Sequence, residues 1–139
     1  MENVKVRINT IQTIDEAGNE DVIEILTEAK LEKLDDCFII NYDESEITDQ
    51  KGSRTRLKIY KDKIIMTKVG IYSSKMEFQQ GIKYSNLYST PYGSFDLDFI
   101  TLDYYNNLDE RGRGNIYVEY IITFADLEES YNKLSIDII

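Results

Sequence analysis

Apolar and polar residues alternate with a period of two along most of this chain. The run Phe95-Asp96-Leu97-Asp98-Phe99 is the clearest case. Such alternation marks a strand with one dry face and one wet face. Just before it stands the only proline, Pro91, which fixes φ and has no N–H to donate, so a regular strand should end at Thr90. Gly93 can take a positive φ and close the turn.

The same pattern predicts strands on both sides of this point. Val4 to Ile14 places Val4, Val6, Ile8 and Thr10 on one face. Asp15 to Glu20 is a turn cluster. Val22 to Leu34 is ambiguous. Val22, Ile25, Leu26 and Ala29 fit a helix, and local pattern leans that way, yet Ile23, Ile25 and Thr27 alternate and the neighbouring segments favour a long strand. Asp35-Asp36 turns the chain into Cys37 to Ile47, with Phe38, Ile40, Tyr42 and Glu44 sharing a face. After a loop at Thr48 to Ser53, Arg54 to Tyr60 and Lys63 to Val69 form a hairpin about Lys61-Asp62. Its parity puts Leu57 and Ile59 on the face of Ile64 and Met66, with Thr55 and Lys68 also there.

Lys75 to Gln80 and Lys83 to Thr90 follow, the latter with Tyr84 and Tyr88 together. Asn106 to Gly114 reads as a polar loop. Asn115 to Phe124 is a strong strand, Ala125 to Ser130 a turn, and Tyr131 to Ile139 the last strand. The expected core is Leu57, Ile59, Ile64, Met66, Phe95, Leu97, Phe99, Val118 and Ile122. About ten antiparallel strands in sequence order, with no long crossover, favour one all-β domain over residues 1–139. Closure into an up-and-down barrel would remove the exposed edges. A barrel of this size is filled by side chains or holds one small ligand.

Composition narrows the chemistry. With 26 acidic and 16 basic residues the chain carries a net charge of −10, which repels phosphate backbones and anionic lipid, so neither nucleic acid nor membrane is an expected partner. The basic residues Lys51, Arg54, Arg56, Lys58, Lys61 and Lys63 alternate with apolar ones and read as a wet strand face. The sequence has no histidine and one cysteine, Cys37, which leaves no Cys-His pair and no zinc ligand set. No cofactor or metal is expected. The start, Met1 to Arg7, lacks the apolar core of a signal peptide, and the apolar runs are too short to span a bilayer, so the expected location is the cytoplasm.

Eleven tyrosines suit half-buried sheet surfaces. Tyr84, Tyr88, Tyr92 and Tyr120 are candidates to line a cavity, against ordinary core packing with hydroxyls at the rim. Asp96 and Asp98 share a face that is expected to be solvated rather than catalytic. Tyr42, Glu44, Thr55 and Lys68 are polar residues on an apolar face, where a carboxylate and an ammonium near a barrel end can orient a small ligand or clasp the wall. Glu44 and Lys68 are expected within hydrogen-bonding reach of one another, with Thr55 beside them.

The ordered set Val22-Ile23-Glu24, Tyr42-Asp43-Glu44, Thr55-Arg56-Leu57-Lys58, Met66-Thr67-Lys68-Val69-Gly70, Met76-Glu77-Phe78, Tyr88 to Gly93, Thr101 and Gly114 to Tyr120 resembles the YwiB-like proteins, a bacterial family of unknown function. The resemblance runs from about Val4 to Ile138. It implies a calycin-like, lipocalin-like barrel and a strand at Val22 to Leu34, and it carries no established activity. Relatives usually have Arg where this chain has Lys68, a point charge in place of a bidentate fork.

Three functions follow as expectations. The first is a non-enzymatic barrel for a small, partly apolar ligand, with Tyr42, Glu44, Thr55, Lys68, Tyr88 and Tyr120 as its candidate site. The second is a protein-interaction or structural module that works through the acidic outer surface. The third, ranked last, is an enzyme built on the Glu44 and Lys68 region. A continuous internal cavity separates the first from the second, which a filled barrel and an exposed apolar patch would favour.

Overall fold

Every described element is a strand. The computed structural model describes residues 1–13, 20–43, 53–70, 73–124 and 128–139. The strands are β1 (Glu2–Thr13), β2 (Glu20–Lys33), β3 (Phe38–Asp43), β4 (Arg54–Ile59), β5 (Lys63–Val69), β6 (Ser74–Gln79), β7 (Lys83–Thr90), β8 (Gly93–Leu108), β9 (Gly114–Phe124) and β10 (Glu128–Ile138). They form one antiparallel sheet in the order β6-β5-β4-β3-β2-β1-β10-β9-β8-β7. Each neighbouring pair is consecutive in sequence except β1–β10, which brings the first and last strands together.

The sheet curls into a nearly closed barrel whose seam lies between β6 and β7. There Ser73 and Ser89 exchange backbone hydrogen bonds at 3.1 Å, and the Asn86 side-chain amide donates to the Lys75 carbonyl at 2.8 Å. The Gly81 N–H donates to the Thr101 carbonyl at 2.9 Å. Further along β8, side chains replace the missing ladder. The Tyr104 hydroxyl donates to the carbonyls of Tyr60 and Lys63, and the Asn106 amide donates to the Tyr60 carbonyl at 2.9 Å. The seam is therefore stitched to the β4–β5 turn, which leaves fewer open edge groups to template association.

Alternation dictates which face is inside. On β4, Thr55, Leu57 and Ile59 are buried while Arg54 and Arg56 are exposed, as expected for a wet outer face. Val4, Val6 and Ile8 from β1, Ile64 and Met66 from β5, Phe78 from β6, Phe99 from β8, Ile116, Val118 and Tyr120 from β9, and Leu134, Ile136 and Ile138 from β10 share one core with Leu57 and Ile59. Phe78 meets Phe99 edge-on at 6.1 Å between ring centres. Cys37 is buried and leads into β3 as a small apolar residue.

The long strand expected over Val22 to Leu34 is present as β2, whose pairing with β1 over Glu2 to Thr13 outweighs the local helical leaning. Val22, Ile23 and Leu26 are exposed on that strand. Other expectations are corrected. Asn106 to Gly114 is not all loop: β8 runs on to Leu108, and the turn is confined to 109–113. β10 begins at Glu128 rather than Tyr131. Of the expected core, Leu57, Ile59, Ile64, Met66, Phe99 and Val118 are buried, whereas Phe95, Leu97 and Ile122 are only half-buried. Leu97 pairs with Phe124 in the last rung of the β8–β9 ladder, and Phe95 lies beyond it towards the Gly93 end of β8. Tyr92 is 89% exposed in the β7–β8 turn and lines no cavity. The turn at Asp15 to Asn19, the loop at Thr48 to Gly52 and the turn residues Ala125 to Leu127 lie outside the described residues.

Candidate functional site

The hairpin parity expected for β4 and β5 holds, and it sets a polar rung across the inner wall. Tyr42 of β3 pairs with Thr55 of β4, Thr55 pairs with Lys68 of β5, and Lys68 pairs with Ser74 of β6. Tyr42 and Thr55 are buried and Lys68 is half-buried. The rung thus joins three of the four polar residues that the sequence points to. The fourth, Glu44, lies outside the described residues, and with it the expected Glu44–Lys68 pair.

The tyrosines divide. Tyr120 of β9 is buried with its ring centre 4.5 Å from that of Phe78, and burial raises its hydroxyl above the ordinary tyrosine range. It pairs with Thr101 on one side and Asn132 on the other, which makes a second polar rung. The Thr101 hydroxyl is buried and has no hydrogen-bond partner among the described residues. Tyr88 pairs with Phe95 near the end of β7 and is half-buried, as is Tyr84, which packs against the core. The antiparallel bridge between Ser73 and Ser89 sets Tyr88 across the seam from Ser74, the β6 end of the Tyr42 rung.

These inner residues have little room around them. Thr55 is 1% exposed, Tyr120 5% and Phe78 0%. On the same inner face Lys68, Ser74, Tyr84, Tyr88, Leu97 and Ile122 stay partly accessible. An open groove of about 600 Å³ runs along β1, β2 and β3, lined by Asn3, Lys5, Glu28, Lys30, Asn41 and Asp43 among others. Tyr42 also lines it. A smaller groove of about 410 Å³ runs beside Asp96 and Asp98. Asp98 accepts from the Ser85 hydroxyl at 2.5 Å and lies 4.0 Å from the Lys83 ammonium, a solvated arrangement.

A third constellation, missed in the sequence, lies on the outer face of β9 and β10. The Tyr117 hydroxyl donates to one Glu119 carboxylate oxygen at 2.6 Å, and the Tyr131 hydroxyl donates to the other at 2.7 Å. Both donors hold the carboxyl below its usual range. Tyr131 is raised first by its bond to the carboxylate, and Tyr117 first by burial and then by the same carboxylate. A signal for it exists in the sequence, because Tyr117 and Glu119 are two apart on one strand and must share a face. Alternation by itself marks them only as the wet side of β9.

The class of protein is therefore a nearly closed, ten-stranded, up-and-down antiparallel barrel. The chain belongs to the family called domain of unknown function (DUF1934), whose pattern matches residues 6–136. Its fold resembles the crystal structure of the ywiB protein from Bacillus subtilis, with a TM-score of 0.82 at 18% identity, covering 98% of this chain and 89% of that one. No curated protein matches the chain. No helix among the described residues is long and apolar enough to cross a membrane.

Proposed function

We propose that this protein is a non-catalytic, cytoplasmic interaction module whose barrel is a scaffold for its acidic outer surface. Close packing of much of the interior supports the reading: Phe78, Val118 and Ile136 are 0% exposed, and two of the six candidate ligand residues, Thr55 and Tyr120, are buried in the same inner wall. The complement is on the outside, where Ile100, Leu102 and Tyr105 are exposed on one strand. Apolar groups left in water on a stable barrel suit a protein partner. A net charge of −10 turns that preference away from nucleic acid and anionic lipid.

A small ligand has one observation in its favour, the open groove beside Tyr42, which is lined by two lysines and two carboxylates. Native mass spectrometry of the protein purified from its own host separates the readings. A retained macromolecular partner is the expected result. A stoichiometric small molecule in place of a partner sinks the interaction reading and returns attention to Tyr42, Lys68 and the groove.

A further inference from the structure

The outward face of β8, β9 and β10 combines aromatic, apolar and acidic groups in fixed register. Ile100 pairs with Ile121, and Ile121 with Tyr131. Asp103 pairs with Glu119, and Glu119 with Lys133. Tyr105 pairs with Tyr117. The inner neighbours Thr101, Tyr104, Val118 and Leu134 are buried, so these residues point outwards. A bulge between Thr101 and Asp103 adds one residue to β8, and both Leu102 and Asp103 then face outwards, side by side. Leu102 and Ile100 are each 38% exposed and Tyr105 is 53% exposed.

We infer that this face docks a cationic, extended segment of a partner protein, with Asp103 and Glu119 receiving its guanidinium or ammonium groups and the Tyr105 and Tyr117 rings flanking its stems. The inference rests on the interaction-module reading and gives that module its partner chemistry. Glu119 is pre-set for the role: two tyrosine hydroxyls fix both carboxylate oxygens, and each oxygen keeps a second lone-pair direction. Asp103 stands directly opposite, and two like charges across a strand pair are unfavourable until a cation lies between them. Lys133 supplies one positive charge for the two carboxylates, which leaves the row net negative.

The rings also favour cations. Lys133 already lies over Tyr131, its ammonium 5.9 Å from the ring centre. Tyr105 and Tyr117 have ring centres 6.3 Å apart and planes 30° from parallel, and the exposed Tyr105 ring leaves an aromatic face for an arginine plane. Charge selects among possible occupants. A second copy of a chain with net charge −10 is repelled, whereas a basic segment is steered in.

The test uses the whole chain labelled with nitrogen-15 and a capped peptide of about ten residues that alternates Arg and Val, at ~150 mM salt to screen diffuse attraction. Amide shifts should cluster on Ile100 to Tyr105, Tyr117 to Ile121 and Tyr131 to Ser135. The paired substitution Asp103→Asn and Tyr105→Ala should weaken binding about tenfold or more. Shifts scattered over the acidic surface, or an affinity untouched by the pair, overturn the inference. So does a peptide with Glu in place of Arg that binds as well. Photo-cross-linking in the host from position 105 and, as a control, from position 22 separates this failure from that of the module reading. Capture only from position 22 overturns the docking face and leaves the module standing, and capture from neither overturns both.

Discussion

The Tyr104 hydroxyl donates to the Tyr60 carbonyl at 2.9 Å, although the two residues are 44 apart in sequence. This bond spans the place where the sheet lacks a ladder, and burial keeps the phenol protonated by raising it above its ordinary range. Tyr104→Phe removes the donor and leaves the ring. Urea unfolding should show a loss of about 1–2 kcal/mol with an unchanged m-value. A neutral result would assign the seam to packing and to Asn106 alone.

Packing at the centre should cost more. Phe99 is buried against Phe78, so Phe99→Ala is expected to lose roughly 3–5 kcal/mol. Leu97→Ala, on a half-buried rung, should lose clearly less in the same titration. Equal losses would mean that the end of β8 is as well packed as its middle.

These two positions show what the sequence can and cannot say. Alternation places Leu97 and Phe99 on the inner face, and the structure agrees. Alternation carries no information on how much of the opposite wall covers each rung, because that depends on strand stagger. The Tyr42-Thr55-Lys68 rung is legible because hairpin parity around Lys61-Asp62 is a local quantity. Tyr104 on the Tyr60 carbonyl is not, since no local rule ties β8 to the β4–β5 turn. The Tyr117-Glu119-Tyr131 cluster is half legible: two members share a strand, while the third needs the β9–β10 register.

Two glycines with nearly the same φ provide a controlled comparison. Gly81 has φ of 78°, and a Cβ added there would meet nothing within 4 Å. Gly112 has φ of 79°, and a Cβ added there would stand 2.9 Å from the Phe38 ring. Gly81→Ala should cost only the left-handed strain, about 1–2 kcal/mol. Gly112→Ala should cost that plus an overpacking loss of about 1–3 kcal/mol, measured as the difference between the two midpoints at constant m.

The Glu119 cluster should make stability depend on pH at both ends. Its carboxyl is held below the usual value, so its contribution is present above the ordinary glutamate range and fades as acid protonates it. Tyr117 and Tyr131 are raised, so their contribution is full below the ordinary tyrosine range and fades as alkali rises beyond it. Glu119→Gln should flatten the acid limb of a stability-against-pH curve relative to the parent. Parallel acid limbs would show that other carboxylates dominate.

The β1–β10 ladder sets the order of events during folding. Eight of the nine strand pairings join consecutive strands and can form by zipping short hairpins, whereas this one must bring Val6 to Ile138. The entropy of closing so long a loop is met before any of its contacts form. Two meanders, β1–β6 and β7–β10, should therefore assemble early and wait for β1 and β10 to find each other. Destabilising changes confined to that ladder, such as Ile8→Val or Ile136→Val, would test this timing: they should speed unfolding and leave the refolding rate nearly untouched if it forms after the barrier, and slow refolding if it is the barrier itself.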